Sequence, residues 1–311
     1  MRLLFSAFAC FLSFTVFSQE ETRLALVIGN SDYEFTSKLP NPVNDALLIK
    51  ETLESLGFDV IFDTNLVDRR AFIATIGEFG ERRPDYDVAF VFYAGHGSQI
   101  NNKNYLLPTG INATKEWEVE EYAVSVQSIM RFLTNMTDQV NVLILDACRD
   151  NNFEKNWNEK SRSASGGGTG LAKMKAPSGS LIAFSTTAGT TAPDGEGMNS
   201  DYSRILAEQM KVPGISLDQV FRNVRREIFD ISNGNQQTEE STQLTGETFY
   251  LVKSDFEKEY DLADKFEEEG EYYDALSTLT SIIAKEPNVK AYSRRASVYD
   301  EIEEYDNAIE D

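Results

Sequence analysis

Asp87-Val88-Ala89-Phe90-Val91-Phe92-Tyr93-Ala94-Gly95-His96-Gly97 is the stretch that decides the fold. Val88 to Tyr93 is apolar without polar alternation, as in a parallel strand buried on both faces. The run breaks at Gly95-His96-Gly97, which puts His96 just past the strand end. A second run, Val140 to Leu145, is followed by Asp146-Ala147-Cys148-Arg149-Asp150, so Cys148 also falls just past a strand.

Outward from these two runs the chain alternates strand and helix signals. Leu24 to Ile28 is a strand ending at Gly29-Asn30. Asn44 to Leu56 carries apolar residues at helical spacing and stops at Gly57. Phe58 to Phe62 is the next strand and Arg69 to Phe79 the next helix; Ser125 to Met136 also reads as helix. After a polar, Gly/Ser-rich stretch at 153–178, strand signal resumes at Ser180 to Ser185. Helices are predicted at Tyr202–Met210 and Leu217–Ile231, and a last strand at Thr248–Val252. The β-α-β order implies an α/β fold, a mostly parallel sheet sandwiched between helices, whose sites gather outside the carboxyl ends of its strands. His96 and Cys148 would then leave the same sheet edge, as a shared site requires.

The rest of the chain bounds the function. Residues 1–18 read as a secretory signal: Arg2, a nearly apolar stretch from Leu3 to Phe17, and Val16-Phe17-Ser18 before cleavage at Gln19. The apolar stretch is shorter than the roughly 20 residues that span a bilayer. The mature protein is therefore expected to be exported, soluble and off the membrane. Cys10 leaves with the leader, so Cys148 becomes the one cysteine and His96 the one histidine. A single thiol in an oxidising compartment has no internal disulfide partner, which favours chemistry over structure. The formal charge of −22 argues against nucleic acid. From Lys253 to Asp311 there are 18 acidic and 7 basic residues, a net of −11, half of the whole in a compositionally distinct tail. That tail, 256–311, is helical in pattern. Tyr272 and Ala275 recur as Tyr305 and Ala308, 33 residues on, and Pro287 closes the first unit. It resembles tetratricopeptide repeats, whose period is about 34 and which need at least three units for stability. The tail therefore reads as truncated at Asp311, with a concave face for a protein partner.

A thiol nucleophile must act as thiolate, and a neighbouring imidazole commonly supplies that by taking its proton. The amides of Gly97 and Cys148 are natural donors to an oxyanion. Tyr93-Ala94-Gly95-His96-Gly97 and Leu145-Asp146-Ala147-Cys148-Arg149-Asp150 resemble the caspase-like cysteine peptidases, specifically their bacterial metacaspase-like branch. The His-to-Cys spacing of 52 is close to the roughly 50 of caspases. Ala25 to Asn30 with Leu39 to Ala46, Ala183 to Gly189, and Leu244 to Leu251 resemble further family segments, so the likeness covers 23–252. It implies a caspase-like three-layer α/β/α sandwich followed by the helical repeat tail. It also implies that His96 is the general base, Cys148 the nucleophile, and Gly97 with Cys148 the oxyanion hole. By the same resemblance Asp45 and Asp146 line the pocket for the substrate's P1 side chain. Two carboxylates there favour a cation, so cleavage after Arg or Lys is expected. The loop at 153–178, with Lys155, Lys160, Arg162, Lys173 and Lys175, is a candidate for self-cleavage. Metacaspases are typically monomeric, so a monomer is expected. No cofactor is required by this chemistry. Calcium, which some metacaspases need, is left open, since no EF-hand-like spacing marks a site, and no zinc pattern is present. The competing reading is a non-hydrolytic scaffold that keeps the caspase fold and works through its repeats.

Overall fold

The computed structural model describes residues 21–134, 139–148, 171–187 and 197–311, with Cys148 described by its backbone alone. The leader, the 153–170 part of the Gly/Ser-rich loop with Lys155, Lys160 and Arg162, and the Ala188-Gly189 end of one family segment lie outside the described residues. The chain divides into two compact units, Thr22–Tyr260 and Asp261–Asp311.

In the larger unit, β1 (Arg23–Gly29), β2 (Asp59–Thr64), β3 (Val88–Ile100), β6 (Val140–Cys148) and β7 (Ser180–Phe184) pair in parallel. An antiparallel strand, β8 (Glu239–Thr242), closes one edge, giving the order β2-β1-β3-β6-β7-β8. β4 (Lys103–Leu106) and β5 (Val124–Ser125) form a side branch on β3. The strands are apolar throughout because both faces are covered. Ala25, Val27, Phe90, Phe92, Val142 and Ile144 face a layer of α1 (Pro42–Ser55), α5 (Asp201–Met210) and α6 (Leu217–Ile231). Leu24, Leu26, Val91, Tyr93 and Leu143 face α2 (Arg69–Arg82) and α4 (Gln127–Met130). Each fully buried Phe or Leu contributes about 1.5–3 kcal/mol to this packing. This is the three-layer α/β/α sandwich expected from the sequence.

Three expectations change. β3 and β6 do not stop before the candidate residues: His96 and Cys148 lie within them. β3 continues because its far half finds an antiparallel partner in β4. They join through Asn101 and Asn102, both at positive φ as a tight hairpin turn requires. The helix expected at Ser125–Met136 is shorter. Ser125 belongs to β5, paired with Tyr105, and only Gln127–Met130 is α-helical, while 135–136 lie outside the described residues. Thr248–Val252 is not a sheet strand, and the last strand is β8. The 248–252 backbone bonds elsewhere: Leu217 N–H donates to Phe249 O, Gly214 N–H to Val252 O, and Arg23 Nη1 to Leu251 O. Its apolar residues, Phe249 and Leu251, pack into the layer of α1, α5 and α6. A short helix not anticipated, α3 (Glu116–Tyr122), precedes β5.

The smaller unit holds the end of α7 (Asp255–Glu268), then α8 (Tyr272–Lys285), α9 (Val289–Glu301) and α10 (Tyr305–Glu310). Ala263, Ala275 and Ala291 are fully buried where helices come close. Arg294 pairs with Asp264 and Glu267, and Arg295 Nε donates to Asp311 Oδ2 at 2.6 Å. Among the described residues no helix is long and apolar enough to cross a membrane.

Candidate active site

The parallel pairing of β3 with β6 sets the site. Ala94 stands opposite Asp146, Gly95 opposite Ala147, and His96 opposite Cys148. The two residues that chemistry would pair are thus register partners on adjacent central strands, near the sheet edge where parallel strands end.

The His96 ring is almost completely buried. Its Nε2 lies 2.8 Å from Ser37 O. A carbonyl can only accept, so Nε2 carries the proton and Nδ1 is the basic nitrogen. Tyr33 packs against the ring with centroids 4.4 Å apart. The Tyr33 hydroxyl also accepts from His96 N–H at 2.7 Å, while Tyr93 Oη donates to His96 O at 2.8 Å. These contacts leave the imidazole little rotational freedom. Gly95 has φ +150°, and a Cβ there would sit 2.7 Å from both tyrosine hydroxyls, so only glycine lets the two tyrosines converge behind His96. Gly97 is hemmed in too: a Cβ would meet Leu171 Cδ2 at 3.0 Å and Ala147 Cβ at 3.3 Å.

Asp45 and Asp146 come together from different elements. Asp45 lies in the first turn of α1, where Pro42 opens the helix. β1 ends in Gly29, whose missing side chain admits that turn: a Cβ would lie 2.5 Å from Pro42 O. Asp45 is turned inward and 2% exposed. Its Oδ1 accepts from Ser200 N–H at 2.8 Å and from Asn199 Nδ2 at 3.1 Å. Asp146, half-buried on β6, accepts at Oδ2 from the Ser200 and Ser203 hydroxyls, each at 3.1 Å. Burial, reinforced by the negative charge of Asp146, pushes the Asp45 carboxyl up to about 7, against the lowering effect of the Ser200 and Asn199 donors. Tyr202, fully buried beside them, is held well above the ordinary phenol range by burial and by Asp146.

Four candidate positions, Asp45, His96, Gly97 and Asp146, fall in this region, and the backbone of the fifth, Cys148, is in register with His96. Such an arrangement can offer a base poised beside a thiol position and an anionic recess for a cation. Sequence reasoning missed Tyr33, Ser37, Asn199, Ser200 and Ser203. Ser200 carries a helix N-cap signal, and its hydroxyl does accept from Ser203 N–H at 3.1 Å. Nothing in the sequence ties that cap to Asp45, 155 positions earlier.

Comparison with known proteins agrees with the geometry. The family model described as Caspase domain matches residues 22–250. Caspase-1 of Equus caballus is 28% identical over 255 residues, 75% of this chain and 60% of that protein. The mucosa-associated lymphoid tissue lymphoma translocation protein 1 of Homo sapiens is 28% identical over 130 residues, 42% of this chain and 15% of that protein. The chain thus spans less than two thirds of the length of these relatives. Among solved structures, caspase-1 from Spodoptera frugiperda superposes with a TM-score of 0.55 at 15% identity, covering 76% of this chain and 93% of that one, a likeness of fold.

Proposed function

Because this chain belongs to the caspase-domain family, we propose that it is a cysteine endopeptidase that cleaves peptide or protein substrates after Arg or Lys. The observation that carries this reading is the register of His96 against Cys148 on neighbouring strands, with two carboxylates gathered beside them.

His96 Nδ1 takes the Cys148 thiol proton, and the thiolate attacks the scissile carbonyl to form a tetrahedral oxyanion. The amides of Gly97 and Cys148 bind that oxyanion. Collapse breaks the C–N bond, and His96 returns the proton to the leaving amine. A thioester stays on Cys148, and a water activated by His96 hydrolyses it. The Ser37 carbonyl, accepting from Nε2, steadies the imidazolium formed in each half-reaction. Asp45 and Asp146 hold the P1 guanidinium or ammonium, and a pair of acids in these places supports a reading in the bacterial metacaspase-like branch.

The leader at 1–18 exports the enzyme, which acts as a monomer without a required cofactor. The 153–178 loop is cut by the enzyme itself. Within its described part, Lys173 is 75% exposed and paired with Glu239, within reach of solvent. The acidic helices of the tail are tetratricopeptide-like repeats that bind a protein partner.

The test is a P1-varied fluorogenic peptide panel on the full chain, beside Cys148→Ala and Asp146→Ala, with and without calcium. Turnover after Arg or Lys that vanishes with Cys148→Ala and weakens with Asp146→Ala is expected. A preference for P1 Asp would overturn the pocket assignment, and turnover surviving Cys148→Ala would overturn the mechanism. Intact mass of the active protein, compared with Cys148→Ala, tests self-cleavage: an active enzyme that stays whole refutes it.

A further inference from the structure

Ser200 touches both acids of the pocket through two different atoms. Its backbone N–H donates to Asp45 Oδ1 and its hydroxyl to Asp146 Oδ2. The same hydroxyl oxygen accepts from Ser203 N–H and so caps α5. Asp45 belongs to α1 and Asp146 to β6, so the residue that joins them comes from a third element. Two further donors, Asn199 Nδ2 to Asp45 and Ser203 Oγ to Asp146, are neutral and flank Ser200 in the same short segment. The segment is itself tied back to α1, since Asn44 Nδ2 donates to Met198 O at 3.0 Å.

Resting on the P1 pocket assigned above, we propose that Ser200 is the positioning residue of that pocket. It holds the two carboxylates in one cradle, which keeps a proton when empty and releases it to solvent when an Arg or Lys side chain enters. Two carboxylates in one buried recess repel, so protonating one is the way an empty recess relieves the repulsion. A bound cation relieves it instead, and the proton leaves to the buffer, with charge conserved. Asp45 is the group that titrates near neutral pH. The other ionisable residues on elements packed against α1 are Arg23 on β1, Asp59 and Asp63 on β2, Tyr93 and His96 on β3, and Asp201, Tyr202, Arg204 and Glu208 on α5. Asp146 is the largest charge acting on Asp45. The hydroxyl of Ser200 stabilises the Asp146 anion, so losing it makes both acids harder to ionise together.

The experiment uses the full chain with Cys148→Ala and agmatine, a small guanidinium, as the probe. Calorimetry in two buffers of different ionisation heat counts protons exchanged. The parent is expected to release close to one proton near pH 6 and almost none near pH 9. Ser200→Ala should weaken agmatine about three- to tenfold near pH 7 and push proton release to higher pH, with the affinity gap closing near pH 9. Ser200→Gly, which keeps a tolerated N-cap and the backbone donor, should behave like Ser200→Ala even where that variant folds poorly. Ser200→Thr, which keeps the hydroxyl, should restore the parent profile. In the active chain the loss should fall on KM for Arg substrates and leave kcat nearly unchanged. A Ser200→Ala loss that is the same at every pH, or no loss at all, overturns the inference while leaving the pocket standing. If agmatine does not bind the parent, and Asp146→Ala leaves the P1 preference intact, the pocket assignment itself fails and this inference with it.

Discussion

Asp45→Asn should stabilise the protein at alkaline pH while disabling the P1 pocket proposed for it. In the folded chain the Asp45 carboxyl holds its proton up to about 7, whereas the unfolded chain releases it near 3.8. Between those values the folded state carries a proton that the unfolded state has given up. Stability from this group therefore falls as pH rises from about 4, and the whole penalty is present above about 7. At about 1.4 kcal/mol per pH unit, the interval sets a ceiling of about 4 kcal/mol. Local relaxation and water entry reduce such penalties, so about 2 kcal/mol is the working expectation. Asparagine keeps the Oδ1 acceptor that Ser200 N–H and Asn199 Nδ2 use, and its amide can stand where the protonated oxygen stood. The variant should then match the parent near pH 4 and exceed it by about 2 kcal/mol near pH 8. Urea unfolding in a Cys148→Ala background, followed by the fluorescence of Trp117, reports on the larger unit. A stability difference that is the same at both pH values, or a variant weaker than the parent near pH 8, would refute the reasoning.

Other perturbations probe the scaffold behind His96. Gly95→Ala places a Cβ against the Tyr33 and Tyr93 hydroxyls and should cost about 2–4 kcal/mol by thermal or urea unfolding, with turnover lost. Tyr33→Phe removes the acceptor for His96 N–H and should lower kcat about tenfold while circular dichroism is unchanged. Unaltered kcat would show that Tyr33 does not position the base. Arg83 is fully buried, donating to Asn141 Oδ1 through Nε and Nη2. Arg83→Met alone should destabilise by about 3 kcal/mol because Asn141 loses its partner, and adding Asn141→Leu should recover most of it.

What the sequence made legible, and what it hid, follows from what apolar patterning encodes. Runs such as Leu24–Ile28 and Val88–Tyr93 announce strands because both their faces are buried, and each turned out to be a strand of the central sheet. The same signal misleads at Phe249 and Leu251. Leu251 is buried and Phe249 partly buried for packing, while their backbone carbonyls accept from Arg23 Nη1 and Leu217 N–H. Burial is written in side chains, but backbone pairing is not. The true edge strand, Glu239–Thr242, is polar and half exposed, as a sheet edge open to solvent favours, and so gave no apolar signal. His96 stands opposite Cys148 although the apolar run of its strand breaks at Gly95. Gly95 and Gly97 interrupt hydrophobicity without interrupting extension, and β4, the partner that sustains the extension, comes later in the chain.

The two acids held by Ser200 show the sharper limit. Asp45 and Asp146 could be singled out because a family pattern marks them, yet the residues that orient them could not. Ser200 stands where a helix N-cap places a serine, and the cap alone explains its presence, while Ser203 enters that cap only through its backbone N–H. Only the return of the chain, more than fifty residues beyond Asp146, turns an ordinary cap into a donor for two acids. A local rule fully satisfied leaves no residue of surprise to mark a second role. Where a side chain serves both its own helix and a distant site, sequence pattern will report the helix, and the site emerges from the fold.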